Sequence, residues 1–86
     1  MKFFQIKNKL GLHARPAAKL AELSNRYKAT ITFEVDGEEV DAKSLLSILT
    51  LACPQGTKVK VKAYGEDAQE ALEALEKLFE DKFGEA

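Results

Sequence analysis

The chain has one cysteine, one methionine, no tryptophan and only two prolines among its 86 residues. A lone cysteine excludes an internal disulfide and gives no sign of an oxidising compartment. Cys53 therefore reads as a small buried hydrophobe with no redox task. No apolar run approaches the roughly 20 residues that a membrane-crossing helix needs. Met1-Lys2-Phe3-Phe4 opens no apolar segment long enough for a signal peptide. Net charge is only −1, so no overall field points to nucleic acid. The expectation is a cytoplasmic protein with no membrane insertion. One histidine and one distant cysteine offer no ligand spacing for a metal, and nothing marks a nucleophile elbow. No cofactor is expected.

Hydrophobic residues make up 45% and charged residues 31%, a balance typical of a folded globular protein. The length suits one domain over residues 1–86, with no repeat, low-complexity tract or linker. A domain this small buries only about 60% of its unfolded surface, so its core must be lean and continuous. Charge is unevenly spread. Lys7, Lys9, Arg15, Lys19, Arg26, Lys28 and Lys43 lie in the first half, whereas acidic residues dominate from Glu66 onward.

Periodicity predicts seven elements. Lys2 to Lys7 places Phe4 and Ile6 on one strand face. Asn8-Lys9-Leu10-Gly11 breaks it. Pro16 suits the first turn of a helix, where its missing N–H would have no partner anyway. That helix should run to about Tyr27, with Leu20, Leu23 and Tyr27 inward. Thr30 to Val35 alternates, with Ile31, Phe33 and Val35 inward, and Asp36-Gly37 signals a hairpin to a strand at Glu38–Asp41. Ser44 is placed to cap a short helix through Leu51. Lys58 to Tyr64 reads as the last strand, with Val59, Val61 and Ala63 inward. Asp67 and Glu70 resemble a capping box. The last helix carries Ala68, Ala71, Leu72, Leu75 and Phe79 on one face, and Glu73 and Lys77 as an outer i,i+4 pair. The order β-α-β-β-α-β-α predicts an α+β fold, one antiparallel sheet with helices on a single face. Strand order stays open at this level, because ferredoxin-like domains share the first six elements.

The segment Leu10-Gly11-Leu12-His13-Ala14-Arg15-Pro16-Ala17 concentrates the chemistry. It sets the only histidine immediately before a helix start, with an arginine two residues on. A helix N-terminus offers free backbone N–H groups and a positive dipole end, together an anion site. Gly11 permits a sharp backbone turn. Arg15 can add a charge-assisted fork to phosphate oxygens, and the imidazole supplies a nitrogen nucleophile. The dipole and Arg15 both disfavour the imidazolium, so the expected pKa of His13 is lowered. Against this stand plainer roles: a capping histidine, a solvated arginine and a proline that merely starts a helix.

This segment resembles the active-site motif of the HPr family of the phosphoenolpyruvate-dependent phosphotransferase system. The likeness spans the chain, with Lys43-Ser44-Leu45-Leu46 falling where that family places a regulatory serine and docking residues. The resemblance implies an open-faced β-sandwich of sheet order 1-4-2-3 under three helices. It implies that His13 accepts a phosphoryl group through Nδ1 from phosphorylated Enzyme I, with Arg15 holding the group. His13 then passes it to EIIA domains for sugar uptake. Such a protein is a covalent shuttle rather than an enzyme, because positioning and charge stabilisation suffice for the transfer. A nitrogen-related branch shares the Asn8-Lys9-Leu10-Gly11 start, and its donor and acceptor are regulatory proteins. A third possibility is an interaction module that binds a transcriptional regulator or enzyme and moves no sugar. A small hydrolase using His13 as base lacks the partner residues it would need.

Leu45, Leu46, Ile48, Leu49 and Leu51 are five apolar residues in seven positions. A helix that short cannot turn all of them inward. Ile48 and Leu49 are expected in the core, and the surplus implies an exposed patch. By resemblance Leu45 and Leu46 lie beside His13 and dock Enzyme I and EIIA, helped by Ala18 and Lys19. Ser44 is the expected site of an HPr kinase. Its phosphate would add about −1.5 to −2 charges beside the patch and oppose Enzyme I docking. Ala52-Cys53-Pro54 departs from the family, many of whose members have glycine at this helix end. A monomer is expected.

Overall fold

The computed structural model describes residues 1–85. The strands are β1 (Lys2–Gln5), β2 (Thr30–Val35), β3 (Glu38–Asp41) and β4 (Lys58–Tyr64). The helices are α1 (Ala14–Ser24), α2 (Leu45–Thr50) and α3 (Ala68–Glu80), followed by a 3₁₀ turn at Lys82–Gly84. The strands form one sheet in the order β1-β4-β2-β3, with every neighbouring pair antiparallel. This is the order implied by the family resemblance, with the three helices on one face.

Alternation in the strands decides which side is covered. Phe4, Ile31, Phe33, Val59 and Val61 point into the core, where they meet Leu20, Ile48, Leu72, Leu75 and Phe79 from the helices. The Phe79 ring lies 5.1 Å from those of Phe4 and Phe83 and 6.2 Å from that of Phe33, so it joins sheet, α3 and chain end. Asp36 and Gly37 have φ of 52° and 82°, the two positive values that a tight hairpin matching strand twist requires. Val35 and Ala63 face inward but stay half-buried at the margin of the sheet.

Several boundaries differ from expectation. Regular β1 pairing stops at Gln5, although Ile6 remains buried and bonds through its backbone to Gly56 and Thr57. Helix α1 ends at Ser24 rather than Tyr27. Asn25 explains this: its amide donates to the carbonyls of Ala21 and Lys43 at 2.8 and 2.9 Å, and i→i−3 bonds then tighten the chain through Tyr27. The buried stripe of α1 is accordingly Pro16, Ala17, Leu20, Ala21 and Ser24, with Leu23 and Tyr27 half-buried beside α3. Helix α2 stops at Thr50, with Leu51 as its C-cap.

The Asp67–Glu70 capping box does not form. The Asp67 carboxylate instead accepts from the backbone N–H groups of Lys28 and Ala29 at 2.9 and 2.8 Å, fastening the entry of β2. These donors hold its carboxyl below the usual range, against the opposing effect of desolvation. Glu73 accepts from Gln69 rather than pairing with Lys77. An exposed i,i+4 ion pair is worth too little to outbid such a neighbour.

Candidate phosphoryl-acceptor site

His13 is the N-cap of α1, in extended conformation, and its ring makes no capping bond. The imidazole is therefore free for another task. Its carbonyl accepts the first helical bond from Ala17. Pro16 has no N–H, so the N–H groups of Ala14 and Arg15 remain unpaired among the described residues. Two donors and the positive helix end thus converge beside the ring.

The approach to the helix is fixed by close contact. Gly11 has φ +71°, and a Cβ there would drive into the Cys53 carbonyl oxygen and the Pro54 backbone. Leu12 N–H donates to that Cys53 carbonyl at 2.8 Å. The turn after α2 therefore buttresses the histidine loop, which gives the Ala52-Cys53-Pro54 segment a structural task. Ala52 itself is left-handed, with φ 49°, a conformation that glycine adopts without strain. Cys53 is buried as expected, and desolvation pushes its thiol up to about 11.

The other side of the ring is closed by residues that local sequence signals did not single out. Nε2 lies 2.9 Å from Glu85 Oε1. The same oxygen accepts from Asn8 Nδ2 at 2.9 Å, and that amide also donates to the Gly11 carbonyl at 2.7 Å. Asn8, read from sequence as a strand breaker, is fully buried. The His13 hydrogen bond holds the Glu85 carboxyl below the ordinary range, with desolvation opposing and the Asn8 bond and the charges of His13 and Arg15 assisting. Nothing local marks Glu85, because its meeting with His13 spans 72 positions.

Arg15 is exposed and lines a shallow recess with Lys9, Leu10, Gly84 and Glu85. Ala18 is exposed on α1, and the Lys19 ammonium donates to the Phe83 carbonyl at 2.5 Å. Helix α2 packs along α1. Its start lies by the far end of α1 through the Asn25–Lys43 bond, and its end lies by the His13 loop through Cys53. Ser44 therefore opens the end of α2 remote from His13, where its Oγ accepts from Ser47 N at 3.3 Å. Ile48 and Leu51 are buried and Leu49 half-buried, whereas Leu45 and Leu46 are 38% and 76% exposed. The apolar surplus of α2 does face solvent.

Comparison with known proteins agrees with this architecture. The family model for the PTS HPr component phosphorylation site matches residues 2–81. The phosphocarrier protein HPr of Xylella fastidiosa is 44% identical over 80 residues, covering 93% of this chain and 90% of that protein. The phosphocarrier protein NPr of Proteus mirabilis is 43% identical over 81 residues, with 93% and 90% covered. A crystal structure of HPr from Thermoanaerobacter tengcongensis superposes with a TM-score of 0.94 at 45% identity, covering 100% of this chain and 99% of the other. The sheet order, the histidine at the mouth of α1 and likeness over nearly the whole length converge, and the chain belongs to the HPr family of phosphotransferase-system phosphocarriers.

Proposed function

We propose that His13 accepts a phosphoryl group from phosphorylated Enzyme I and delivers it to an EIIA domain for sugar uptake. The observation that carries this reading is the free Nδ1 edge. Nε2 is engaged by Glu85, while Nδ1 has no hydrogen bond among the described residues and stands at a helix start with unpaired N–H groups. Those donors, with Arg15, supply positive potential for phosphate oxygens. Leu45 and Leu46, with Ala18 and Lys19, form the docking surface for both partners. The group moves on covalently, so the protein acts as a carrier and not as an enzyme. The carrier works as a monomer in the cytoplasm.

A second reading is favoured by the Asn8-Lys9-Leu10-Gly11 segment and by the NPr likeness: a nitrogen-branch phosphocarrier, whose partners regulate rather than transport. A purely regulatory module is the remaining alternative. Ser44 is the proposed site of an HPr kinase. Its position at the remote end of α2 means that a phosphate there would act through the shared docking surface and not on the His13 ring.

Mass spectrometry after incubation with Enzyme I and phosphoenolpyruvate tests the proposal. One added phosphoryl group is expected on the wild type and none on His13→Ala. An unmodified, folded wild type would overturn it. Transfer to sugar-specific or nitrogen-related EIIA separates the two branches, and pull-downs of both phosphoforms test the regulatory module. Absence of acid-stable phosphoserine after treatment with host extract would remove Ser44 phosphorylation.

A further inference from the structure

The last described residues adopt an unusual backbone conformation. Lys82, Phe83 and Gly84 are consecutively left-handed, with φ of 54°, 56° and 76°. Only the last is a glycine, so two side-chain-bearing residues hold a backbone region that L-residues avoid. Two anchors keep them there. Phe83 is fully buried, its ring 5.1 Å from that of Phe79, and its carbonyl is gripped by Lys19. The consequence of this strained turn is the delivery of the Glu85 carboxylate to Nε2 of His13.

We infer that Glu85 is a positioning residue for phosphoryl transfer, holding the proton on Nε2 so that Nδ1 presents its lone pair. This inference rests on the proposed His13 chemistry and adds to it the control of the ring. The hydrogen-bond inventory supports it. Glu85 Oε1 already accepts from Asn8, so this ionised carboxylate can only accept from the ring as well, and Nε2 must be the donor. Nδ1 is then the basic nitrogen. In the transfer step the Nδ1 lone pair forms the bond to phosphorus. The bond from phosphorus to the donor's nitrogen breaks, its electron pair staying on the donor, and Nε2 keeps its proton. The ring becomes cationic, and Glu85 stabilises that charge from the side opposite the phosphoryl group. A carboxylate orienting a histidine in this way follows the logic of hydrolase triads. Lys9 and Arg15 line the recess that Glu85 borders, and Lys19 is tied to Phe83.

Glu85→Gln tests this, since its amide can donate to Nε2 and so favour the proton on Nδ1. ¹⁵N NMR of unphosphorylated wild type should show an Nε2–H tautomer, shifting toward Nδ1–H in the variant. The rate of phosphorylation by Enzyme I should drop by about tenfold or more. Phe83→Ala, which frees the turn, should shift the tautomer in the same direction while the sheet signals persist. A wild-type tautomer in Glu85→Gln would overturn the inference, even with a slower rate. The tautomer readout needs no phosphoryl donor. Failure of Enzyme I to modify the wild type would therefore sink the proposed function without deciding the role of Glu85.

Discussion

Replacing Gly11 by alanine would strike the site through its support and not through its chemistry. Two costs combine at this position. Gly11 has φ +71°, and a left-handed L-residue costs roughly 1–2 kcal/mol. The added Cβ would also collide with the Cys53 carbonyl and the Pro54 backbone, neither of which is the free end of a side chain. Overpacking of this kind adds typically about 1–3 kcal/mol. The expected loss is therefore about 2–5 kcal/mol, against a total of roughly 4–13 kcal/mol for a domain of this size. Gly37→Ala is the internal control. Its φ is +82° and nothing lies within 4 Å of the added Cβ, so only the conformational cost of about 1–2 kcal/mol should appear. Urea unfolding of the two variants measures the difference. At the same time Gly11→Ala should slow His13 phosphorylation, because the Leu12–Cys53 bond that sets the loop must shift, whereas Gly37→Ala should not. Equal destabilisation by the two substitutions would refute the claim that the turn after α2 buttresses the histidine loop.

Ala52→Gly relieves a φ of 49° and should stabilise the protein by about 1 kcal/mol, seen as a higher urea midpoint. Leu46→Glu, at a side chain 76% exposed, should leave stability within about 0.5 kcal/mol while slowing phosphoryl transfer from Enzyme I. Acid stability should depend on Asp67. Its folded pKa is depressed, so its contribution is present above the unfolded pKa and is lost as pH falls through the folded value. In Asp67→Asn the fall of urea midpoint between about pH 5 and 2 should flatten. Cys53, buried with its thiol near 11, should resist thiol reagents at pH 8 in the folded protein and react promptly in urea.

Much of the fold was legible in the sequence because burial writes periodicity into it. The alternation Ile31, Phe33 and Val35, the Asp36-Gly37 turn and the stripe Ala71, Leu72, Leu75 and Phe79 are local patterns, and the elements they specify lie where expected. Two local expectations changed where a side chain took a distant partner. Asn25 reached Lys43, and Asp67 left its own helix for Lys28 and Ala29. The excess of leucine around α2 was equally readable, since a six-residue helix has only one face to bury.

The sequence alone determined the kind of site: one histidine and one arginine at a helix start, in a motif specific enough to name the family. Only the tertiary structure decided what surrounds that histidine. Gly11 against Cys53, and Asn8 and Glu85 against the ring, join residues tens of positions apart. Local periodicity reports which side of an element is buried, whereas such contacts depend on how separate elements pack and where the chain end is anchored.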